Sequence, residues 1–95
     1  MKRYMVYHSL PEGLTGEQIQ QMAQRTQDTP GLCGLHSYLN LSEGTGVCIF
    51  DAENSQVLER FFSENQMSFD RIGPIEWEGD HGRFTEVKAL ETAKV

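Results

Sequence analysis

The sequence predicts an α+β fold of the ferredoxin-like kind, and three observations carry that prediction. Short β-type runs alternate with two amphipathic stretches in the order β-α-β-β-α-β. A glycine-bearing turn joins the two middle runs into a hairpin. Pro74 interrupts the last run, which suits only an edge strand or a bulge, because proline cannot donate to a ladder. The split βαβ arrangement satisfies all three. It packs two helices on one face of a four-stranded antiparallel sheet in the order 4-1-3-2, with the last strand at an edge.

Each element has a local cause. Residues 4–8 read as the first strand, broken by Pro11-Glu12-Gly13. Thr15 is placed to cap the first helix, with Gln18 as its capping-box partner and Leu14 and Ile19 as a hydrophobic staple. Ile19, Met22, Ala23 and Thr26 then share one helical face, while glutamines occupy most of the rest. So thin an apolar stripe needs a sheet to dock on. Thr29-Pro30-Gly31 ends this helix, and the hairpin follows over about residues 35–51. Asn54 or Ser55 caps the second helix, in which Val57, Leu58, Phe61 and Phe62 make a broader apolar face. Asn65 is expected to end it in the left-handed conformation. Residues 71–77 form the final strand, and 84–95 are expected to be a short helix or a tail. The domain is therefore expected over residues 1–80, with an extension over 81–95.

Composition narrows the function classes. Ninety-five residues with 38% apolar content support one small core. A bare sheet face would leave such a domain marginal, so a homodimer is expected. The net charge of −6, with eight basic residues scattered along the chain, argues against nucleic acid. Two cysteines do not make a disulfide framework. No apolar run approaches membrane-spanning length, and residues 4–10 are too short and polar for a secretory core, so a cytoplasmic protein without membrane contact is expected. There is no phosphate-binding loop or nucleophile elbow, and no organic cofactor is implied.

The candidate site comes from the hairpin. Pairing Leu41 with Val47 sets Leu39 opposite Ile49, Asn40 opposite Cys48 and Tyr38 opposite Phe50. One face is then Leu35, Leu39, Leu41, Val47 and Ile49, a plain core. The other is His36, Tyr38, Asn40, Cys48 and Phe50, joined from the first strand either by Tyr4, Val6 and His8, the favoured phase because it adds a second histidine, or by Met5 and Tyr7. A face mixing aromatics with histidine and cysteine asks for a metal, a ligand or a partner chain. His8, His36 and Cys48 are the candidate metal ligands, since imidazole suits nickel, zinc or copper and thiolate favours soft or borderline ions. Tyr38 and Phe50 are the candidates to contact a small molecule, and Tyr7 and Trp77 could line the same pocket. Cys33-Gly34-Leu35-His36 has the spacing of a ligand pair, but strand alternation separates its ends unless the chain bends at Gly34. The plain alternative is a dimer interface in which Cys48 packs as a small hydrophobe.

Three motifs, Leu10-Pro11-Glu12-Gly13-Leu14-Thr15, Val47-Cys48-Ile49-Phe50-Asp51-Ala52 and Asn65-Gln66-Met67-Ser68-Phe69-Asp70-Arg71-Ile72, occur in that order. They resemble the "LPGLT", "FCLFEAP" and "AGLPFDRI" segments of a small bacterial family, catalogued as a domain of unknown function, whose best-known type is a nickel-binding protein. The resemblance spans about residues 4–77. It implies a dimeric ferredoxin-like α/β barrel in which two open sheet faces pack together, and it matches Cys48 to the family cysteine of the third strand. The chain departs from the pattern at Met67-Ser68, where Leu-Pro is usual, at the additional Glu12, and in a longer tail after Trp77. On this basis the expected function is a small, non-enzymatic metal-binding protein, with nickel the leading ion. The alternative is a dimeric-barrel enzyme or binder with a small molecule in a cavity on the open sheet face.

Overall fold

The computed structural model describes residues 1–88. Strand β1 (Lys2–Ser9) leads to helix α1 (Gly16–Gln27), the strand pair β2 (Leu32–Asn40) and β3 (Thr45–Ala52), helix α2 (Ser55–Glu64) and strand β4 (Arg71–Pro74). These strands form one antiparallel sheet in the order β4-β1-β3-β2. This is an α+β fold consistent with the ferredoxin-like expectation, and Pro74 does lie on an edge strand, although that strand stops at Pro74 instead of running on to Trp77. A separate two-stranded sheet, β5 (Trp77–Asp80) and β6 (Arg83–Glu86), follows.

Both helix starts follow their sequence signals. Thr15 closes a full capping box with Gln18, and Asn54 accepts from the Val57 backbone N–H at 3.0 Å. Asn65 does end α2, but not in the left-handed conformation expected of it. Asn65 has φ −102°, and the left-handed residue is Gln66, at φ 57°. Asn65 instead turns its side-chain amide back onto the Phe61 carbonyl at 2.8 Å, so one of the orphan carbonyls of the last turn is satisfied by a side chain.

The core lies between α2 and the sheet. Tyr4 and Val6 of β1, Leu32 of β2, Phe50 and Ala52 of β3, and Leu58, Phe61 and Phe62 of α2 are buried together. Phe62 is the hub, with edge or tilted ring contacts to Phe50, Phe61, Phe69 and His8. Helix α1 buries only Thr26. Gly34 lies beneath it, where an added Cβ would come within 2.9 Å of Thr26 Oγ1, so only glycine lets the helix approach so closely.

The hairpin register differs from the sequence expectation, and with it the assignment of faces. Asn40 pairs with Thr45, Tyr38 with Val47, Ser37 with Cys48 and His36 with Ile49. The turn is responsible. The Asn40 side chain accepts from the Glu43 N–H at 3.0 Å, its carbonyl accepts from the Gly44 N–H, and Gly44 adopts φ 73°, closing the loop over residues 41–44. Relative to a Leu41–Val47 pairing this is an odd-numbered slip, which exchanges the two faces of β2. A bulge between Gly34 and His36 then restores the first part of the strand, so that Gly34 faces with Phe50 and Leu32 with Ala52.

The end of the described chain also differs. A strand spans Arg83–Glu86 where a helix or tail was expected over 84–95; residues 89–95 lie outside the described residues. The β5–β6 turn places His81 and Gly82 at φ 49° and 80°, the mirror-image geometry that two-residue hairpins favour.

Replacing Thr15 with alanine removes the cap and is expected to lower stability by about 1 kcal/mol. Chemical denaturation checks this, and an unchanged midpoint would deny the capping box any energetic role.

Candidate functional site: the cleft between the first helix and the sheet

Residues directly opposite in a sheet share a face. His8 lies opposite Gly46, Val6 opposite Cys48, and Tyr4 opposite Phe50. His8, Cys48 and Phe50 therefore do share a face, but it is the helix-covered one, where Tyr4 and Val6 form core. His36 and Tyr38 lie on the opposite, open face with Val47 and Ile49. The set His8, His36 and Cys48 is thus divided between the two faces. Among the described residues no group of three His, Cys, Asp or Glu side chains stands ready to hold a metal. The same correction separates Tyr38, which is exposed, from Phe50, which is buried. Val47 and Ile49, read from the sequence as core, are half-buried on the open face.

A cleft of about 780 Å³ lies on the helix-covered side, lined by residues of α1, β1, β2, β3 and the segment after α2. It exists because α1 is held close only near its C-terminal end, at Thr26. Ile19 and Met22, on the same stripe, stay half-buried along the cleft wall. The cavity expected on the open face is on the other side of the sheet. A smaller hollow of about 310 Å³ does occur beside the open face, where Tyr7 and Trp77 are among its walls and Tyr38 is not.

Two side chains give the cleft its chemistry. His8 places Nδ1 2.8 Å from the Ser68 carbonyl oxygen. A carbonyl only accepts, so Nδ1 carries the proton and the neutral ring keeps its lone pair on Nε2. An edge-on contact with Phe62 at 5.2 Å also orients the ring. Cys48 lies diagonally from His8 across the β1–β3 ladder and accepts from Ser37 Oγ at 3.2 Å. Burial raises its thiol above the ordinary value, opposed in part by the Ser37 hydrogen bond.

The bulge brings together a pair that strand alternation had set apart. Cys33 is opposite Asp51 and His36 opposite Ile49, so Cys33 and His36 share the open face. The signal was the glycine in Cys33-Gly34-Leu35-His36, a residue type that often marks a bulge inside a strand. Farther along this face, Arg3 forms a two-point ion pair with Asp51, at 2.7 and 3.0 Å, and a further bond to Glu78. The hydrogen bond to Asp51 is the largest cause holding the Arg3 guanidinium above its ordinary pKa.

A family model for SCO4226-like nickel responsive proteins matches residues 4–75, most of the chain and every element of the main sheet. The chain belongs to that family. A crystal structure of SCO4226 from Streptomyces coelicolor A3(2) superposes on it with a TM-score of 0.72 at 16% identity, covering 81% of this chain and 99% of the other. At that identity the likeness concerns the fold. No curated protein matches the chain. The family match ends before β5, so the β5–β6 hairpin is an addition to the matched region.

The Cys48 environment fixes the sign of a pH effect. The folded chain holds this thiol proton more tightly than the unfolded chain does. The stabilisation is fully present below the ordinary thiol pKa of about 8.5 and is lost as the pH rises above it. Urea midpoints measured from pH 7 to pH 10 should fall more steeply for the wild type than for Cys48→Ala. Parallel curves would show that the thiol is not protected by burial.

Proposed function

We propose that this family member is a small, non-enzymatic cytoplasmic protein that binds nickel or a kindred divalent transition metal, with His8 and Cys48 as its donors. Membership of a nickel responsive family supports the reading, and one observation carries it. The His8 ring is oriented by a backbone carbonyl on Nδ1, the outer-shell arrangement that metal-binding histidines use, with Nε2 left for a ligand. Cys48 is its diagonal neighbour, at a Cβ separation of about 7 Å for such pairs, a span that imidazole and thiolate can bridge through one ion. Imidazole and thiolate suit nickel in kind. In number they fall short of a full coordination sphere, which water would complete.

Cys33 and His36 carry a second reading, because the bulge puts both on the open face. Calorimetric titration of nickel into tag-free protein separates the two. The first reading expects Cys48→Ser and His8→Ala each to weaken binding at least tenfold, with Cys33→Ser and His36→Ala unchanged. It also expects affinity to rise with pH, because the metal must displace the Cys48 proton, which burial holds tightly. The reverse pattern moves the site to the open face. No binding by the wild type would end the metal reading.

The open face also supports a homodimer. Met5, Tyr7, Val47 and Ile49 are half-buried there without a covering helix, and Tyr38 is 66% exposed beside them. A second copy packed face to face would remove this apolar patch from water. Sedimentation at micromolar concentration is expected to show a species of twice the chain mass, and Tyr38→Glu to shift it toward monomer. A wild type that sediments only as a 10.8 kDa species would refute the dimer.

A further inference from the structure

We infer that the cleft between α1 and the sheet binds a neutral, mainly apolar organic molecule bearing one hydroxyl group, a hydrophobic alcohol or phenol. The inference goes beyond the metal reading and does not depend on it. At about 780 Å³ the cleft falls within the size range of small-molecule sites, and its walls are mostly apolar. Leu14, Ile19, Met22 and Leu39 line it while remaining half-buried, so apolar surface is available to a guest.

The lining specifies the guest. It contains no Lys, Arg, Asp or Glu, although the chain has eight basic and fourteen acidic residues. A charged ligand would lose its hydration there without gaining a counter-charge. The polar side chains along the wall are largely engaged with the protein itself. Thr26 Oγ1 donates to the Ala23 carbonyl, Gln27 Nε2 to the Gly34 carbonyl, and Ser37 Oγ to Cys48 Sγ. Of the two histidines that border the cleft, His36 lies on the open face by its pairing with Ile49, whereas His8 bonds Ser68 through Nδ1 and leaves Nε2 as an acceptor. An acceptor in an apolar cleft favours a ligand that can donate, and an O–H group is the simplest neutral donor. Hydroxyl to Nε2, with the hydrocarbon body along the α1 stripe, uses both features at once.

The test uses the full chain in the presence of EDTA and three probes of one shape: 2-naphthol, naphthalene and 2-naphthoate. Methyl resonances of Ile19, Met22 and Leu39 should shift on titration. 2-Naphthol should bind several-fold more tightly than naphthalene, and 2-naphthoate most weakly. His8→Phe should make 2-naphthol and naphthalene equivalent. If that variant does not fold, 2-methoxynaphthalene with the wild type makes the same comparison, since it has no proton to give and should bind no better than naphthalene. Because EDTA keeps any metal away from the protein throughout, the metal reading and the cleft reading fail separately. Tightest binding by 2-naphthoate, a hydroxyl preference that survives in a folded His8→Phe, or no shift at the cleft methyls would overturn the inference.

Discussion

The pairing of β1 with β3 decides which side chains every other element meets. Tyr4 opposite Phe50 and Val6 opposite Cys48 send the even-numbered residues of both strands toward the helices. Arg3 opposite Asp51 sends the odd-numbered ones the other way. A slip by one residue would drive Arg3 and Asp51 beneath α2 and put Val6 and Phe50 in water. The loss would combine an uncompensated buried charge with the transfer of two large apolar side chains. The ion pair does more than decorate the surface. Asp51 is only 6% exposed, and its two-point bond to Arg3 holds only in the observed register. The apolar face and the ion pair select the same alignment from opposite sides of the sheet.

The cleft follows from a second constraint, the bulge in β2. By shifting the first part of the strand it brings Gly34 onto the helix-covered face, opposite Phe50. The missing side chain admits Thr26, and Gln27 adds a bond to the Gly34 carbonyl at 3.2 Å. Helix α1 is therefore pinned near its C-terminal end. Its glutamine-rich composition supplies little apolar surface to close the rest, and Ile19 and Met22 are left bordering a space rather than filling one. A helix with the apolar width of α2 would have closed over this face. The thin stripe of α1 thus makes room for a site.

The sequence made most of the fold legible and little of the site. Capping residues, the apolar stripe of α2 and Pro74 act through local chemistry, which one chain reveals directly. Register does not. The choice between a Leu41–Val47 and an Asn40–Thr45 pairing turned on one side-chain bond at Asn40 and one left-handed glycine, both compatible with the same residues. That odd slip moved His36 and Tyr38 away from Cys48 and Phe50. The bulge was half legible, because Gly34 marked a place where the chain could bend but reads as well as a weak strand position. His8 does share a face with Cys48, since that depends on the β1–β3 ladder rather than on the turn, but the face is the helix-covered one and not the open one expected. Its anchor, the Ser68 carbonyl, lies 60 positions away and carries no side-chain signature.

The segment beyond the family match is not an inert appendage. Glu78 of β5 bonds the same Arg3 that fixes Asp51, and the Ile75 N–H donates to the Arg3 carbonyl. The hairpin is therefore tied to the charged end of the open face, on the residue that locks the sheet register. Trp77 and Phe84 are 59% and 73% exposed, and by pairing they share one face, with Phe84 lying over Gly79. A two-stranded ribbon has little independent stability, so its anchorage through Glu78 and Ile75 matters to its position. Because the hairpin and the open face meet at Arg3, a second copy covering Tyr38 and Ile49 would approach the hairpin's root as well. The two sides of the sheet then have separate physical characters. One holds an uncharged, mostly apolar cleft with a histidine acceptor, and the other carries the Arg3–Asp51 pair at one end and Tyr7 and Tyr38 toward the other. A ligand and a partner chain would each find the surface that suits it without competing for the same residues.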